Sequence, residues 1–302
     1  MPRALLRWSV FWAVVLVVVL PTLAAEPAVE QETEEKFIRV ARDEDERPTA
    51  MQTAIVTYQG KSKDGRPLTV DLIGAVHVGD KKYYETLNKE FEKYDALLFE
   101  LVAPEGMEIP RGGGAGSGHP IGLLQNGMKG ILELEHQLEI VDYTKDNFIH
   151  ADMSPEDFAK SMADRNESLV AMFFRMMGQG IAMQSKQQSR NPDRNPDAEL
   201  LMALFSDNRA MLLKRLMAEQ FEDLEAAMMA ISGPDGSTII TERNKVALGV
   251  LAEQIDAGKT RLGIFYGAGH LSDMHERLLN EFKFRRTGER WITAWDLGDT
   301  SD

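Results

Sequence analysis

Cysteine is absent from all 302 residues. That excludes disulfides, a thiol nucleophile, thiolate metal ligands and a lipidated cysteine anchor. Positive charge is also in short supply, with 34 lysines and arginines against 48 acids and a formal net charge of −14. Such a surface argues against nucleic acid, whose phosphates need basic contacts. Three catalytic signatures are missing as well. There is no H-E-x-x-H, which excludes a zincin-type protease, and no G-x-S-x-G elbow, which argues against an α/β-type serine hydrolase. There is no Walker loop.

Long apolar runs occur only at the start. "MPRALLRWSVFWAVVLVVVLPTLAAEP" places Arg3 and Arg7 before an apolar stretch from Trp8 to Leu20, then small residues at Ala24 and Ala25. Residues 1–25 read as a secretory signal peptide, and the expected location is periplasmic or secreted. The apolar core is short for a spanning helix, which needs about 20 residues. An uncleaved anchor is the alternative, and the membrane is then met only through this segment. Residues 26–50 are charged and poor in apolar side chains. They read as a disordered tether, with the folded domain at 51–302.

Within that domain, "QTAIVTYQ" and "RPLTVDLIGAVH" are β-rich runs around the hairpin signal "GKSKDG". A helix follows, with Tyr83, Tyr84, Leu87, Phe91 and Tyr94 on one side. "DALLFELV" is a buried strand ending near Glu100. The glycine-rich segment 110–122 is loop, and "LEIVDY" and "NFIHAD" read as short strands. Ser154 and Pro155 start a helix as cap and first residue. Residues 154–231 form a Met-rich helical insertion. Phe173, Phe174, Met176, Met177 and Met183 there suit an uneven core or, more sharply, a greasy groove for a peptide or lipid. "STIITERN" reads as a strand entering a helix that ends at Gly258. "TRLGIFYGAGH", another helix and a closing hairpin, "FKFRRTGERWITAWDL", complete the chain.

Two segments share one design. "LTVDLIGAVH", helix, "DALLFELV" resembles "RLGIFYGAGH", helix, "RWITAWDL". The expected fold is therefore α/β, with two related β-α-β halves forming a central mixed sheet and a helical insertion. Ligands of open α/β sheets bind outside the carboxyl ends of the strands. A histidine at such a corner faces that crevice. Gly74, Gly267 and Gly269 would let the backbone come close or take dihedrals closed to other residues. His77 and His270 thus become candidate metal ligands, with Glu100 as a third. Two imidazoles and a carboxylate form the ligand set of many catalytic divalent-ion sites. Glu242 is a further ligand or a general base, and Glu100 is a candidate for the same proton transfer. Arg243 would hold a substrate carboxylate or a developing oxyanion. His150 is a possible additional site residue. His119 falls in the glycine-rich loop, and His136 and His275 read as helix-surface residues.

At these residues the chain resembles the TraB/GumN family, related to the Tiki metalloproteases. "GAVH" (74–77), Glu100 after "DALLF", "TERN" (241–244) and "GAGH" (267–270) follow that family's order. The resemblance implies a divalent-metal site, Mn or Co, and peptide-bond hydrolysis. His77, Glu100 and His270 carry over as ligands, and Glu242 and Arg243 as further site residues. Zn belongs to the same candidate set. Distant relatives with a similar core imply the alternatives, a haem-, metal- or peptide-binding protein or a metal-free esterase using the same cleft. The expected partner is a peptide or small-molecule substrate.

Overall fold

Alternation of apolar side chains builds the frame of the computed structural model. It describes residues 36–104, 106–107, 132–168, 171–172, 202–203, 205–206, 208–219 and 236–298. The chain opens with β1 (Ile38–Arg42), β2 (Pro48–Lys61) and β3 (Pro67–Ala75). After β4 (Val78–Gly79) comes α1 (Lys81–Phe91), then β5 (Ala96–Phe99). β6 (Glu135–His136), the short α2 (Gln137–Ile140), β7 (Phe148–His150) and α3 (Pro155–Asp164) follow. A helical stretch covers 209–219. The last part holds α4 (Arg243–Asp256), β8 (Arg261–Gly267), α5 (Leu271–Asn280) and β9 (Arg285–Asp296).

One mixed sheet organises these elements. β3, β8, β5 and β7 lie side by side in that order and run parallel. β2 is antiparallel to β3 on one edge and to β9 on the other, and β1 continues the β3 side of β2. β9 consequently runs in the direction of β3 and β8. Each expected half is therefore a β-α-β crossover between parallel strands: β3–α1–β5 skips over β8, and β8–α5–β9 skips over β3 and β2. The parallel strands are mostly apolar, β3 and β8 are buried along most of their length and β5 entirely, as strands covered on both faces must be.

Local signals explain several elements. The hairpin at "GKSKDG" forms, with Lys61 opposite Pro67. Ser154 Oγ accepts the Asp157 amide at 3.0 Å and Pro155 opens α3. Gly258 takes a φ of +95° just beyond α4, the left-handed position where glycine is favoured. Tyr83, Tyr84, Leu87 and Phe91 bury one face of α1, as their spacing requires.

Several local expectations need correction. Order begins well before residue 51: Phe37, Ile38 and Val40 are buried along β1, inside the segment expected to be a tether. Alternation over "FIRVA" and a ready edge of β2 outweigh the charged flanks. "STIITE" is a π-helical turn, Thr238–Glu242, rather than a strand. Ser237 caps it by accepting the Ile240 amide, a local bond that competes with strand formation. "LEIVDY" contains α2, and the closing hairpin is one long strand, β9. His136 sits in β6, and His275 is tied through Nδ1 to Tyr58 at 2.6 Å. The proposed signal segment, the glycine-rich loop with His119, and most of the Met-rich insertion lie outside the described residues. Among the described residues no helix is long and apolar enough to cross a membrane.

Candidate active site at the carboxyl edge of the parallel strands

Strand register brings the two G-x-x-H corners together. Ala75 at the end of β3 stands opposite Gly267 at the end of β8. The chain then turns through His77 on one strand and His270 on its neighbour. Phe99 of β5 pairs with Phe265 of β8, so Glu100 emerges on the other side of β8. His150 ends β7, beside Phe99. Four adjacent strands therefore deliver His77, His270, Glu100 and His150 to one edge.

Glu100 and His270 form the centre. Glu100 Oε1 lies 3.5 Å from His270 Nε2, and both side chains are largely buried. Glu100 Oε2 accepts the Gly267 amide at 2.6 Å. Gly267 has a φ of −49°, so its value here is closeness, not a left-handed backbone. A Cβ at Gly267 would stand 3.1 Å from Glu100 Oε2. Gly74 lies within β3, and neither it nor Gly269 has positive φ; the unusual dihedrals expected at these glycines are not used.

Arg243 bridges the pair. Its Nη2 donates to Glu100 Oε1 at 2.7 Å, and its Nη1 is 3.4 Å from His270 Nε2. Asp152 grips the same guanidinium in two places, Nε to Oδ1 at 2.9 Å and Nη2 to Oδ2 at 2.6 Å. Such a fork geometry fixes the plane of an arginine. Asp152 has its own restraint, the Met153 amide on Oδ1 at 2.8 Å.

The tautomer of His270 follows from its other neighbour. Asn244 Nδ2 donates to the His270 carbonyl at 2.9 Å and to Asp273 Oδ2 at 2.8 Å. Asn244 Oδ1 must then accept from His270 Nδ1, 2.7 Å away. The proton sits on Nδ1, and Nε2 presents a bare lone pair to Glu100 and Arg243. Tyr266 stacks edge-on against this ring at 5.3 Å and donates its hydroxyl to the Ala151 carbonyl.

Charge states are set by these neighbours. Burial works against ionised Glu100, but His270, Arg243, His77 and the Gly267 amide outweigh it and hold its pKa down at about 2. Burial likewise lowers His270, and the attraction of Glu100 does not restore it. The imidazole is therefore neutral near pH 7, which leaves Arg243 as the fixed cation beside Glu100. Arg243 stays protonated because its hydrogen bonds to Asp152 and the charge of Glu100 exceed its desolvation.

Other candidates are placed differently. His77 is exposed and holds the Gln137 amide through its carbonyl, while its ring is near enough for its charge to act on Glu100 and His270. Glu242 turns away to Arg165 at 3.3 Å and Lys245 at 2.9 Å. It is the last residue of the π-helical turn, and its partners are not those of Arg243, the residue after it. His150 Nε2 is committed to the Leu101 carbonyl at 2.6 Å. Asp152, Asn244 and Tyr266 went unnoticed in the sequence. Asp152 lies two residues past the end of β7, just as Glu100 lies one past β5, and that offset was the available signal. Asn244 stood inside "TERN", where its burial had no sequence mark.

A divalent ion is the group implied by the resemblance, and the donor set fits it in part. Glu100 is ionised and His270 offers a bare Nε2. Their 3.5 Å separation is that of two ligands each about 2.1 Å from one ion at a near-tetrahedral angle. His77 is not yet a third. Among the described residues no three His, Asp or Glu side chains stand close enough to enclose an ion. His77 must turn inward, and Arg243 must release Oε1, for that set to close. No family model, curated protein or solved structure matches the chain.

Proposed function

We propose that this edge is the active site of an extracytoplasmic metal-dependent hydrolase acting on peptide bonds. The observation that carries the reading is the Glu100–His270 pair, two electron-pair donors 3.5 Å apart beside a fixed guanidinium. The ordered motifs shared with the TraB/GumN family support the same reading. Glu100 and His270, with His77, would hold the ion (Mn, Co or Zn), which supplies a Lewis acid for a carbonyl oxygen when bound. The low pKa of Glu100 supports a ligand role over that of a general base. A carboxylate near 2 is a poor proton acceptor at neutral pH and a good ligand. Among the described residues Arg243 Nη1 makes only long contacts, 3.4 Å to His270 and 3.5 Å to the Ile239 carbonyl. Its N–H groups can turn to an oxygen that gains negative charge, the role of an oxyanion donor. Asp152 keeps the guanidinium in place for it.

A second reading, a metal-free esterase, is favoured by Arg243 lying against both Glu100 and His270. There the neutral His270 Nε2 takes the proton of the attacking water, and Asn244 holds the tautomer.

Elemental analysis of purified protein, with peptide and ester panels run with and without chelator, tests both. Stoichiometric metal lost in His77→Ala and His270→Ala, with chelator-sensitive peptide cleavage, supports the first. Ester turnover indifferent to chelator and abolished in His270→Ala supports the second. A Soret band on adding haem, with no turnover of any substrate, sinks both.

A further inference from the structure

At the opposite edge of the sheet lies a cavity of about 570 Å³. It is lined by the end of β2 (Gln59, Lys61), the start of β3 (Leu68, Thr69) and residues 282–285. Lys61, Lys283 and Arg285 line it, and no acid does. Among the described residues none of these three makes an ion pair or a side-chain hydrogen bond. The chain has 48 acids and 34 bases, yet three cations and no acid line this one hollow.

Local structure holds these charges together at a cost. Arg285 stands opposite Gln59 in the β2–β9 register, which makes it the diagonal neighbour of Lys61, two residues on. Diagonal cross-strand neighbours are about 7–8 Å apart, and like charges at close cross-strand positions are unfavourable. Lys283 has a φ of +57°, a left-handed backbone that favours glycine. The turn that carries it is rigid. Phe284 donates its amide to the Leu278 carbonyl at 2.9 Å. Its ring also fills the space above Gly60, where an added Cβ would come within 2.0 Å. A lysine is thus kept where glycine would be easier, with its cation beside two others. Phe282 and Leu68 add an apolar wall.

We propose that this cavity binds the phosphate group of an anionic ligand. Three cations match a multiply charged group better than a single carboxylate, and the apolar wall suits an organic moiety attached to it. The site is independent of the hydrolytic edge.

Calorimetric titration of the full chain with pyrophosphate at low ionic strength tests it. Saturable binding is expected, weakened about tenfold by each of Lys61→Glu and Arg285→Glu, in line with loss of one charge-assisted contact. Lys283→Gly is expected to weaken binding while raising Tm. A second arm uses phosphatidylcholine vesicles with and without phosphatidylglycerol. Co-sedimentation that needs the anionic lipid and is lost in the triple variant K61E/K283E/R285E assigns the phosphate to a lipid headgroup. Pyrophosphate binding without co-sedimentation assigns it to a soluble phosphate ester. The proposal is overturned if neither arm shows saturable binding, or if the triple variant binds as well as the parent chain.

Discussion

Glu100 Oε1 and His270 Nε2 lie 3.5 Å apart, two atoms that both carry electron pairs and no proton near pH 7. Two such donors repel unless a cation stands beside them. Arg243 is that cation, bonded to the first and resting against the second.

Arg243→Lys should retain the charge and lose the function. Lysine cannot reproduce the two-point grip on Asp152 and still reach Glu100. On the proposed reading kcat falls about 10²- to 10³-fold with little change in KM, as for loss of an oxyanion donor. Steady-state kinetics checks this; a rise in KM at unchanged kcat would assign Arg243 to ground-state substrate binding instead.

Acid should weaken the fold through Glu100. Its pKa is about 2 in the folded protein against an ordinary 4.5. The unfolded state therefore binds the extra proton first, and stability present above about pH 4.5 drains away as pH falls toward 2. That difference corresponds to about 3 kcal/mol. His270, also lowered, adds a loss of the same sign from about pH 6.5 downward. Urea unfolding between pH 7 and 2.5 measures the slope, which should be shallower in Glu100→Gln.

Asp152→Ala should be among the most damaging single changes. It leaves a buried guanidinium with Glu100 as its one remaining carboxylate. Breaking such a pair costs about 3–5 kcal/mol. Denaturation of Asp152→Ala, Arg243→Met and the double variant forms the cycle, and a double variant milder than Asp152→Ala alone is expected.

Asn244→Leu should free the tautomer of His270. Nitrogen-15 spectra of the parent chain should place the proton on Nδ1, and the variant should show both forms. The loss of a buried acceptor also costs about 1–3 kcal/mol. A variant spectrum unchanged from the parent would mean that Asn244 does not set the proton position.

Gly267→Ala should separate stability from activity. The backbone at φ −49° accepts alanine, yet the new methyl stands 3.1 Å from Glu100 Oε2. Glu100 must give by a few tenths of an ångström, and the 2.6 Å bond from the Gly267 amide lengthens. Tm should move by only a few degrees, with kcat/KM down about tenfold, since placement errors below 1 Å already slow catalysis.

Much of this edge was legible beforehand. Apolar runs ending in G-x-x-H marked strands that stop at a crevice and pointed to His77 and His270, and the end of the apolar run "DALLF" pointed to Glu100. The misreadings share a cause. "STIITE" has strand composition, but Ser237 offers a nearer partner for its amides. "FIRVA" looked like tether because charged residues flank it on both sides and its strand partners, 9 to 15 residues further on, carry no local mark. Glu242 and Arg243 are adjacent in sequence, and only the tertiary structure sends one to Lys245 and Arg165 and the other into the site.

By itself the amino-acid order determined the α/β class, the strand ends and the residue types waiting at them, because period and turn chemistry are local. Tertiary structure alone decided that β8 lies between β3 and β5, that Asp152 closes on Arg243, and that Asn244 sets the proton of His270. Those are pairings between residues 26 to 192 positions apart, and no local rule encodes which distant partner a strand or a buried polar group will find.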